Sequence, residues 1–163
     1  MKKQKGFSLV ELLIVVAIIL IIAAIAIPNL LRSRMAANES SAVGTIRTLN
    51  TAEVTYSTTY PTVGFGALTQ LGGTPATCAT TATSTLACLV DDTIAQAPNV
   101  KSGYTFSIGN LTGTGGIMVT YSSLAVPQVV GQSGQRGFCS DQSGVIRYNS
   151  TGSGCSVNND PAL

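Results

Sequence analysis

Residues 5–28, KGFSLVELLIVVAIILIIAAIAIP, form one long apolar run near the start of the 163-residue chain. From Phe7 to Ile27 only Ser8 and Glu11 are not apolar. As an α-helix rising about 1.5 Å per residue, this run spans about 31 Å, the thickness of the hydrocarbon core of a bilayer. The sequence therefore predicts a helix that is able to cross a membrane.

The residues around this run help to distinguish an anchor from a secretory signal peptide. Lys2, Lys3 and Lys5 precede it, as expected of a cytoplasmic flank. A signal peptide begins in the same way, and Ala24–Ala26 resembles its cleavage site. However, the run exceeds the roughly 7 to 15 apolar residues of a signal peptide, and Glu11 costs on the order of a few kcal/mol in lipid unless it is paired or neutralised. A retained helix is favoured.

The order of residues in this stretch resembles a known processing signal. A basic start, then Gly6, Phe7, a small hydroxyl residue and Glu11, followed by an apolar helix that reaches Pro28, is similar to the N-terminus of type IV prepilins and of the related pseudopilins. The resemblance implies a leader peptide of residues 1–6. It also implies that a membrane-bound prepilin peptidase cuts between Gly6 and Phe7 and that the new N-terminus on Phe7 is methylated.

The same resemblance, together with electrostatics, predicts a role for Glu11 in assembly. Cleavage would create an amine on Phe7 in or near the apolar layer, and a desolvated amine and carboxylate favour each other. If neighbouring copies are staggered along a common axis, the amine of one copy meets Glu11 of the next. The expected partners are copies of the chain itself in a helical filament, the peptidase and the inner-membrane assembly machinery. A Glu tolerated near the headgroups is the simpler alternative.

The predicted organisation has three parts: a leader at 1–6, a transmembrane and polymer-core helix at 7–27, and an amphipathic helix plus globular domain at 28–163. Pro28 lacks the N–H that would bond to the carbonyl of Ala24, so a helix passing through it is expected to bend there. Beyond it, apolar residues recur at helical spacings up to a predicted end before Pro61: Met35, Ala42, Ile46, Leu49 and Tyr56. The opposite face is predicted to hold Arg32, Arg34, Asn38, Arg47 and Asn50, which suits solvent or a polar seam between subunits. For Arg32, Arg34, Glu39 and Glu53 a solvated face is the favoured interpretation, with pairing between subunits as the alternative.

The remaining chain predicts a small antiparallel sheet. Residues 61–103 have Gly, Pro and Thr breakers and no sustained period, which indicates a loop. Short β-rich runs follow at Tyr104–Ile108, Ile117–Tyr121, Phe138–Ser140 and Val145–Tyr148, with Asp141–Gly144 as a turn between the last two. The predicted fold class is therefore α+β, pilin-like, with a long N-terminal helix packed on a small C-terminal antiparallel sheet.

Four cysteines follow the apolar run: Cys78, Cys88, Cys139 and Cys155. An even number on the non-cytoplasmic side indicates two disulfides, for which three connectivities exist. Proximity in sequence favours Cys78–Cys88 and Cys139–Cys155, each contributing about 2 to 3 kcal/mol by chain entropy. A metal site is disfavoured because the chain has no His and no Cys-x-x-Cys.

The sequence offers little for catalysis, and no cofactor or enzymatic activity is expected. There is no His to act as a base, and Gly113–Gly116 is a glycine-rich stretch without a following Lys, typical of a hairpin loop. Asp91 and Asp92 are acidic enough to suggest calcium, but a solvated turn is the favoured interpretation. Without the leader lysines, six basic residues face seven acidic ones, so no footprint for nucleic acid is predicted.

Two classes of function follow from these features. The first is a structural filament subunit, either of a type IV pilus or of a type II secretion pseudopilus. It would sit in the bacterial inner membrane as a precursor and then in an extracellular pilus or a periplasmic pseudopilus. The second is a monomeric, membrane-anchored extracytoplasmic binding module. Processing by the peptidase and filaments released by shear would distinguish the first class from the second.

Overall fold

The computed structural model describes residues 7–79 and 81–163. These residues form two compact units, one ending at Arg34 and one running from Met35 to Leu163. The elements in chain order are α1 (Leu9–Thr59), α2 (Leu68–Leu71), α3 (Pro75–Cys78), α4 (Asp92–Ala95), β1 (Val100–Lys101), β2 (Tyr104–Thr114), β3 (Ile117–Pro127), β4 (Gly137–Asp141) and β5 (Arg147–Asn149). Residues 35–59 of α1 pack against the sheet, so the predicted α+β class is confirmed.

Helix α1 is continuous through Pro28 and ends at Thr59, before Pro61 as predicted. The apolar spacing of its second half gives a buried stripe, because residues three or four apart share one face of a helix. Ala42, Ile46, Leu49 and Tyr56 are buried there, while Met35 is half-buried. This stripe packs on the inner residues of the sheet, which include Phe106, Ala125 and Phe138.

The described strands form one five-stranded antiparallel sheet in the order β1-β2-β3-β4-β5, so each strand pairs with its neighbours in sequence. The predicted ends at Ile108 and Tyr121 were wrong because β2 and β3 continue to Thr114 and Pro127. Their Ser, Thr and Gly residues weaken the apolar alternation, yet the backbones pair again beyond register shifts between Gly109 and Gly113. The turn between these strands falls within the glycine-rich stretch, as predicted.

The last strand also differs from its prediction. The turn at Asp141–Gly144 is confirmed, with the Gly144 N–H donating to the Asp141 carbonyl at 2.9 Å. However, β5 is Arg147–Asn149 and not Val145–Tyr148, since Val145 and Ile146 belong to the connection. At this edge the Leu163 N–H donates to the Ile146 carbonyl, so the C-terminal residues cover the sheet edge.

The prediction that 61–103 is an irregular loop was wrong in part. This segment contains α2, α3, α4 and β1, each too short to show a period in the sequence. Local hydrogen bonds start two of the helices: the Thr74 hydroxyl accepts the Thr77 N–H, and the Asp91 carboxylate accepts the Thr93 N–H. Leu71 and Ile94 are buried and extend the core beneath the segment.

Candidate functional site

The segment Phe7–Ile27 is apolar and unburied within the chain. The exposed fractions of its large apolar residues run from 43% for Val16 to 79% for Phe7. In the described part of the chain, α1 alone is long and apolar enough to cross a membrane, by length and composition, with a mean hydropathy of 3.3 over an 18-residue window. So much exposed apolar surface is unfavourable in water, and lipid or other apolar helices are the environments that would cover it.

Glu11 has a local structural role that sequence reasoning missed. Its Oε2 accepts the backbone N–H of Ser8 at 2.9 Å. Because α1 begins at Leu9, Ser8 is the N-cap and Glu11 is the third helical residue, which is one half of a capping box. The pattern Ser-x-x-Glu in the sequence was the signal for it. The carboxylate therefore satisfies an N–H that the helix would otherwise leave free.

The other residues of the predicted processing site are placed as follows. Gly6 lies outside the described residues, and Phe7 lies just before α1 with its side chain exposed. Cleavage between them, methylation of Phe7 and pairing of its amine with Glu11 of another copy stay predictions. Pro28 lies inside α1, and its role as a bend also stays a prediction.

The four cysteines are paired in the structure as Cys78–Cys88 and Cys139–Cys155, the connectivity that proximity in sequence favours. Their Cα atoms are 5.7 Å and 5.5 Å apart. The first bond closes the segment that follows α3. The second ties the C-terminal tail to β4, because Cys139 is a residue of that strand.

Glu39 is not on a solvated face, contrary to the favoured interpretation of the sequence. It is 8% exposed, and its Oε1 accepts the backbone N–H groups of Gln135 and Arg136 at 2.9 and 3.1 Å. Its Oε2 accepts Arg136 Nε at 2.9 Å and pairs with Nη2 at 2.8 Å. Burial acts to raise the pKa of Glu39, but the hydrogen bonds outweigh it and hold the pKa below its ordinary value. Glu39 therefore fastens the connection before β4 to α1.

Glu53 is also buried, with 0% exposure, so a solvated face was wrong here too. Its Oε2 accepts the backbone N–H of Gly66 at 2.9 Å, while its Oε1 has no partner among the described residues. Burial raises the pKa of Glu53 to about 7, against the opposing effect of the Gly66 N–H. Glu39 and Glu53 lie on the same helix, yet within the described residues Glu39 has a cation beside it and Glu53 has none.

Two amides predicted for the polar face instead contact the rest of the domain. Asn38 Nδ2 donates to the Ser133 carbonyl at 2.8 Å. Asn50 Nδ2 donates to Ser140 Oγ at 2.8 Å, and Asn50 Oδ1 accepts from the Tyr121 hydroxyl at 3.1 Å. These bonds join α1 to β3, β4 and the connection before β4. Their partners are about 70 to 95 residues away in sequence, which is why the helical pattern gave no sign of them.

Asp91, which the sequence raised as an acidic candidate for calcium, lies at the start of α4. Among residues 7–79 and 81–163 no group of three His, Cys, Asp or Glu side chains could hold an ion. Asp91 caps α4 through the Thr93 N–H and hydroxyl, both at 2.9 Å. Those bonds lower the pKa of Asp91. Asp91 therefore serves as the N-cap of α4.

Comparison with known proteins identifies the first segment. Residues 1–27 match the family described as the prokaryotic N-terminal methylation motif. The match covers the basic start, Gly6, Phe7, Glu11 and the apolar run up to Ile27. The predicted resemblance to prepilin-type signals is thereby confirmed for this part of the chain.

Similar proteins with curated descriptions come from three bacteria. The chain is 60% identical over 40 residues to a type IV wide pilus major component of Thermus thermophilus, covering 24% of this chain and 30% of that protein. It is 44% identical over 54 residues to a type IV major pilin protein of Myxococcus xanthus, covering 33% and 24%. It is 33% identical over 79 residues to the type II secretion system core protein G of Dickeya chrysanthemi, covering 45% and 52%.

The matched regions thus span between about a quarter and about half of these relatives' lengths. No solved structure matches the chain.

Proposed function

We propose that this chain is a structural subunit of a type IV pilus, processed by prepilin peptidase and polymerised through its N-terminal helix. The observation that carries the proposal is the methylation motif in residues 1–27, which leads directly into an apolar helix with exposed side chains. Two of the similar proteins are themselves described as a pilus major component and a major pilin. The proposed precursor lies in the inner membrane and the mature subunit in a surface pilus.

The driving force for assembly is an exchange of surroundings for the apolar helix. In the membrane, residues 7–27 are covered by lipid tails, and in the filament they are covered by the same residues of other copies. Lipid tails are as apolar as Leu, so close helix packing and the pairing of polar groups must favour the filament. Glu11 is the polar group of this segment whose carboxylate is able to take an amine as its partner.

The capping bond of Glu11 supports this role by fixing the orientation of the carboxylate. Ser8 N–H occupies Oε2, and Oε1 has no hydrogen-bond partner within the described residues. The proposed amine of a neighbouring Phe7 would approach Oε1. A carboxylate that is already held by its own helix loses less side-chain entropy when the second partner binds.

Substitutions of Glu11 separate the charge from the cap. Glu11→Gln keeps an acceptor for the Ser8 N–H and removes the charge, whereas Glu11→Ala removes both. We expect both variants to insert into the membrane and to be cleaved, but to leave processed subunit in the membrane fraction and not in filaments sheared from cells. The measurement is the ratio of processed subunit in the two fractions. Full assembly of Glu11→Gln would mean that Glu11 serves only as a cap, and an unchanged ratio in both variants would refute its role.

A second candidate is the pseudopilin of a type II secretion system. The similarity to core protein G favours it, because that match extends over 79 residues, well beyond the apolar run. Imaging of purified surface filaments and identification of their main protein by mass separate the two. Long surface filaments made of this chain support the pilus, and its absence from them together with loss of protein secretion on deletion supports the pseudopilus.

The monomeric binding module is distinguished by a different outcome. An intact leader, with the chain present as a monomer in the membrane and absent from any filament, would refute both filament proposals.

A further inference from the structure

Glu53 connects helix α1 to the segment that leaves it. Residues 60–67 run from the end of α1 to the start of α2, and we call them the 60–67 loop. The Gly66 N–H donates to Glu53 Oε2 at 2.9 Å, and both residues are buried. The second oxygen, Oε1, is buried without a hydrogen-bond partner within the described residues. The contact is therefore half satisfied, which is costly for a carboxylate in a dry interior.

The close approach of the 60–67 loop to the helix at position 66 depends on the lack of a side chain there. A Cβ at Gly66 would be 2.9 Å from a ring carbon of Tyr56. Elsewhere the loop is held by β3: the Phe65 N–H donates to the Met118 carbonyl at 2.9 Å, and the Met118 N–H donates to the Val63 carbonyl at 2.8 Å. Among the described residues, Glu53 is thus the side chain of α1 that hydrogen-bonds to the loop, at the end where the loop enters α2. At the other end the Tyr60 ring packs on Tyr56 of α1, with ring centroids 5.0 Å apart.

The groups around Glu53 do not compensate a negative charge. Burial raises the pKa of Tyr121 on β3 and of Tyr56 on α1, and the charge of the nearby Glu53 carboxylate raises both further. Tyr60 acts on Tyr56 in the same direction, and Asp141 on β4 does so on Tyr121. No cation contributes to the titration of Glu53 as far as the described residues show. An ionised Glu53 would therefore be a buried charge whose one favourable contact is the Gly66 N–H.

We propose that Glu53 is a protonation-controlled latch, whose neutral carboxyl holds the 60–67 loop on α1 and whose ionised carboxylate releases it. In the neutral form the carbonyl oxygen accepts the Gly66 N–H, and a hydroxyl replaces the charged oxygen that lacks a partner. In the ionised form, opening of the loop lets water reach the carboxylate. The latch belongs to the globular unit and operates whether or not the chain polymerises.

The direction of the response follows from the raised pKa of Glu53. While the loop is closed, the Glu53 carboxyl keeps its proton up to about pH 7. When the loop is open and the carboxyl is solvated, it loses the proton near its ordinary pKa of 4.5. Closure is therefore fully stabilised below about pH 4.5, and it weakens as pH rises until about pH 7. From these two pKa values, the equilibrium constant for opening of the 60–67 loop increases about 70-fold between pH 5 and pH 8.

Hydrogen exchange of the full chain in detergent micelles tests the latch. Protection of peptides within residues 60–67, corrected for the intrinsic pH dependence of exchange, should fall about 70-fold from pH 5 to pH 8. Glu53→Gln keeps the shape and the acceptor for Gly66 but does not titrate, so its protection should stay level. Glu11→Gln is the matched control, because it makes the same chemical change on the same helix and should keep the wild-type drop. Protection of residues 137–141 in β4 should stay level in all three.

Three results would overturn the proposal: a wild-type loop whose protection does not change, a Glu53→Gln loop that loses protection as the wild type does, or an equal loss throughout the domain. If Glu53→Gln does not fold, ¹⁵N-glycine-labelled wild type supplies the test. A Gly66 amide resonance that titrates with a midpoint near pH 7 supports the latch, and one that stays constant from pH 4 to pH 9 refutes it.

Discussion

Replacing Glu39 with Ala removes the side chain that fastens the connection before β4 to helix α1. The carboxylate accepts two backbone N–H groups, from Gln135 and Arg136, and forms an ion pair with the Arg136 guanidinium. All three contacts join parts of the chain that are more than 95 residues apart. Their loss should therefore weaken the docking of α1 on the sheet and leave the strands themselves paired.

The expected cost is about 3 kcal/mol of the free energy of unfolding. Each backbone bond to a charged acceptor contributes about 1.5 kcal/mol, the lower end of the range for such bonds. The ion pair adds about 1 kcal/mol at most, because the Arg136 side chain is 40% exposed and water screens it. Glu39→Gln keeps an acceptor for the backbone groups and loses the charge, so it should cost about 1 to 2 kcal/mol.

The pH dependence has a definite sign. Since the folded protein holds the pKa of Glu39 below its ordinary value, the contribution is present above the ordinary carboxyl range and is lost as pH falls through the folded value. The difference between wild type and Glu39→Ala should therefore be full at pH 7 and should shrink in acid.

Urea unfolding of the full chain in detergent provides the measurement. The chain has five Tyr and no Trp, so Tyr fluorescence reports the transition. Ser40→Ala, at the exposed neighbouring position, is the control and should lie within about 0.5 kcal/mol of wild type. A Glu39→Ala variant within 1 kcal/mol of wild type, or a difference that persists unchanged in acid, would refute the account of this anchor.

Three further outcomes follow from the structure. Gly64→Ala should destabilise the domain by about 2 to 4 kcal/mol, because Gly64 has φ +80° and a Cβ there would lie 2.0 Å from the Met118 carbonyl oxygen. An unfolding midpoint equal to that of wild type would contradict this prediction. Replacing Cys139 and Cys155 together with Ser should lower the free energy of unfolding by about 3 kcal/mol, by the chain-entropy estimate for a separation of 16 residues. The variant is compared with wild type under oxidising conditions, and no difference is expected once both proteins are reduced. Mass spectrometry of the mature chain should find methylated Phe7 at the N-terminus, and a start at Ile27 would identify an ordinary secreted protein.

Local and periodic features were the ones that the sequence predicted well. The apolar run, its methylation motif and the buried stripe of the second half of α1 each depend on spacings within a few residues. Proximity also favoured the cysteine pairing that the structure has. The four-residue helices in 61–103 were not predicted, because a single helical turn is too short to show a period in the sequence.

The roles of Glu39 and Glu53 could not be predicted because they depend on partners that no helical pattern reveals. A charged residue on a helix is usually solvated, and the partners of Glu39 lie 96 and 97 residues further on. The partner of Glu53 is a backbone N–H that comes within reach because residue 66 is Gly. Ser8 and Glu11 are different, since their Ser-x-x-Glu spacing is a visible signal for a helix cap and the sequence reasoning missed it.

The strand order described above has a consequence for the route by which the domain folds. Because every strand pairs with the next one along the chain, the sheet grows by successive hairpins that close short loops, and each step has a small entropic cost. The contacts of α1 with residues 133–136 close far longer loops. They stabilise the fold only after the strands on either side of these residues have paired. The sheet should therefore form first as a local unit, and docking of the helix should be the slow step that sets the folding rate.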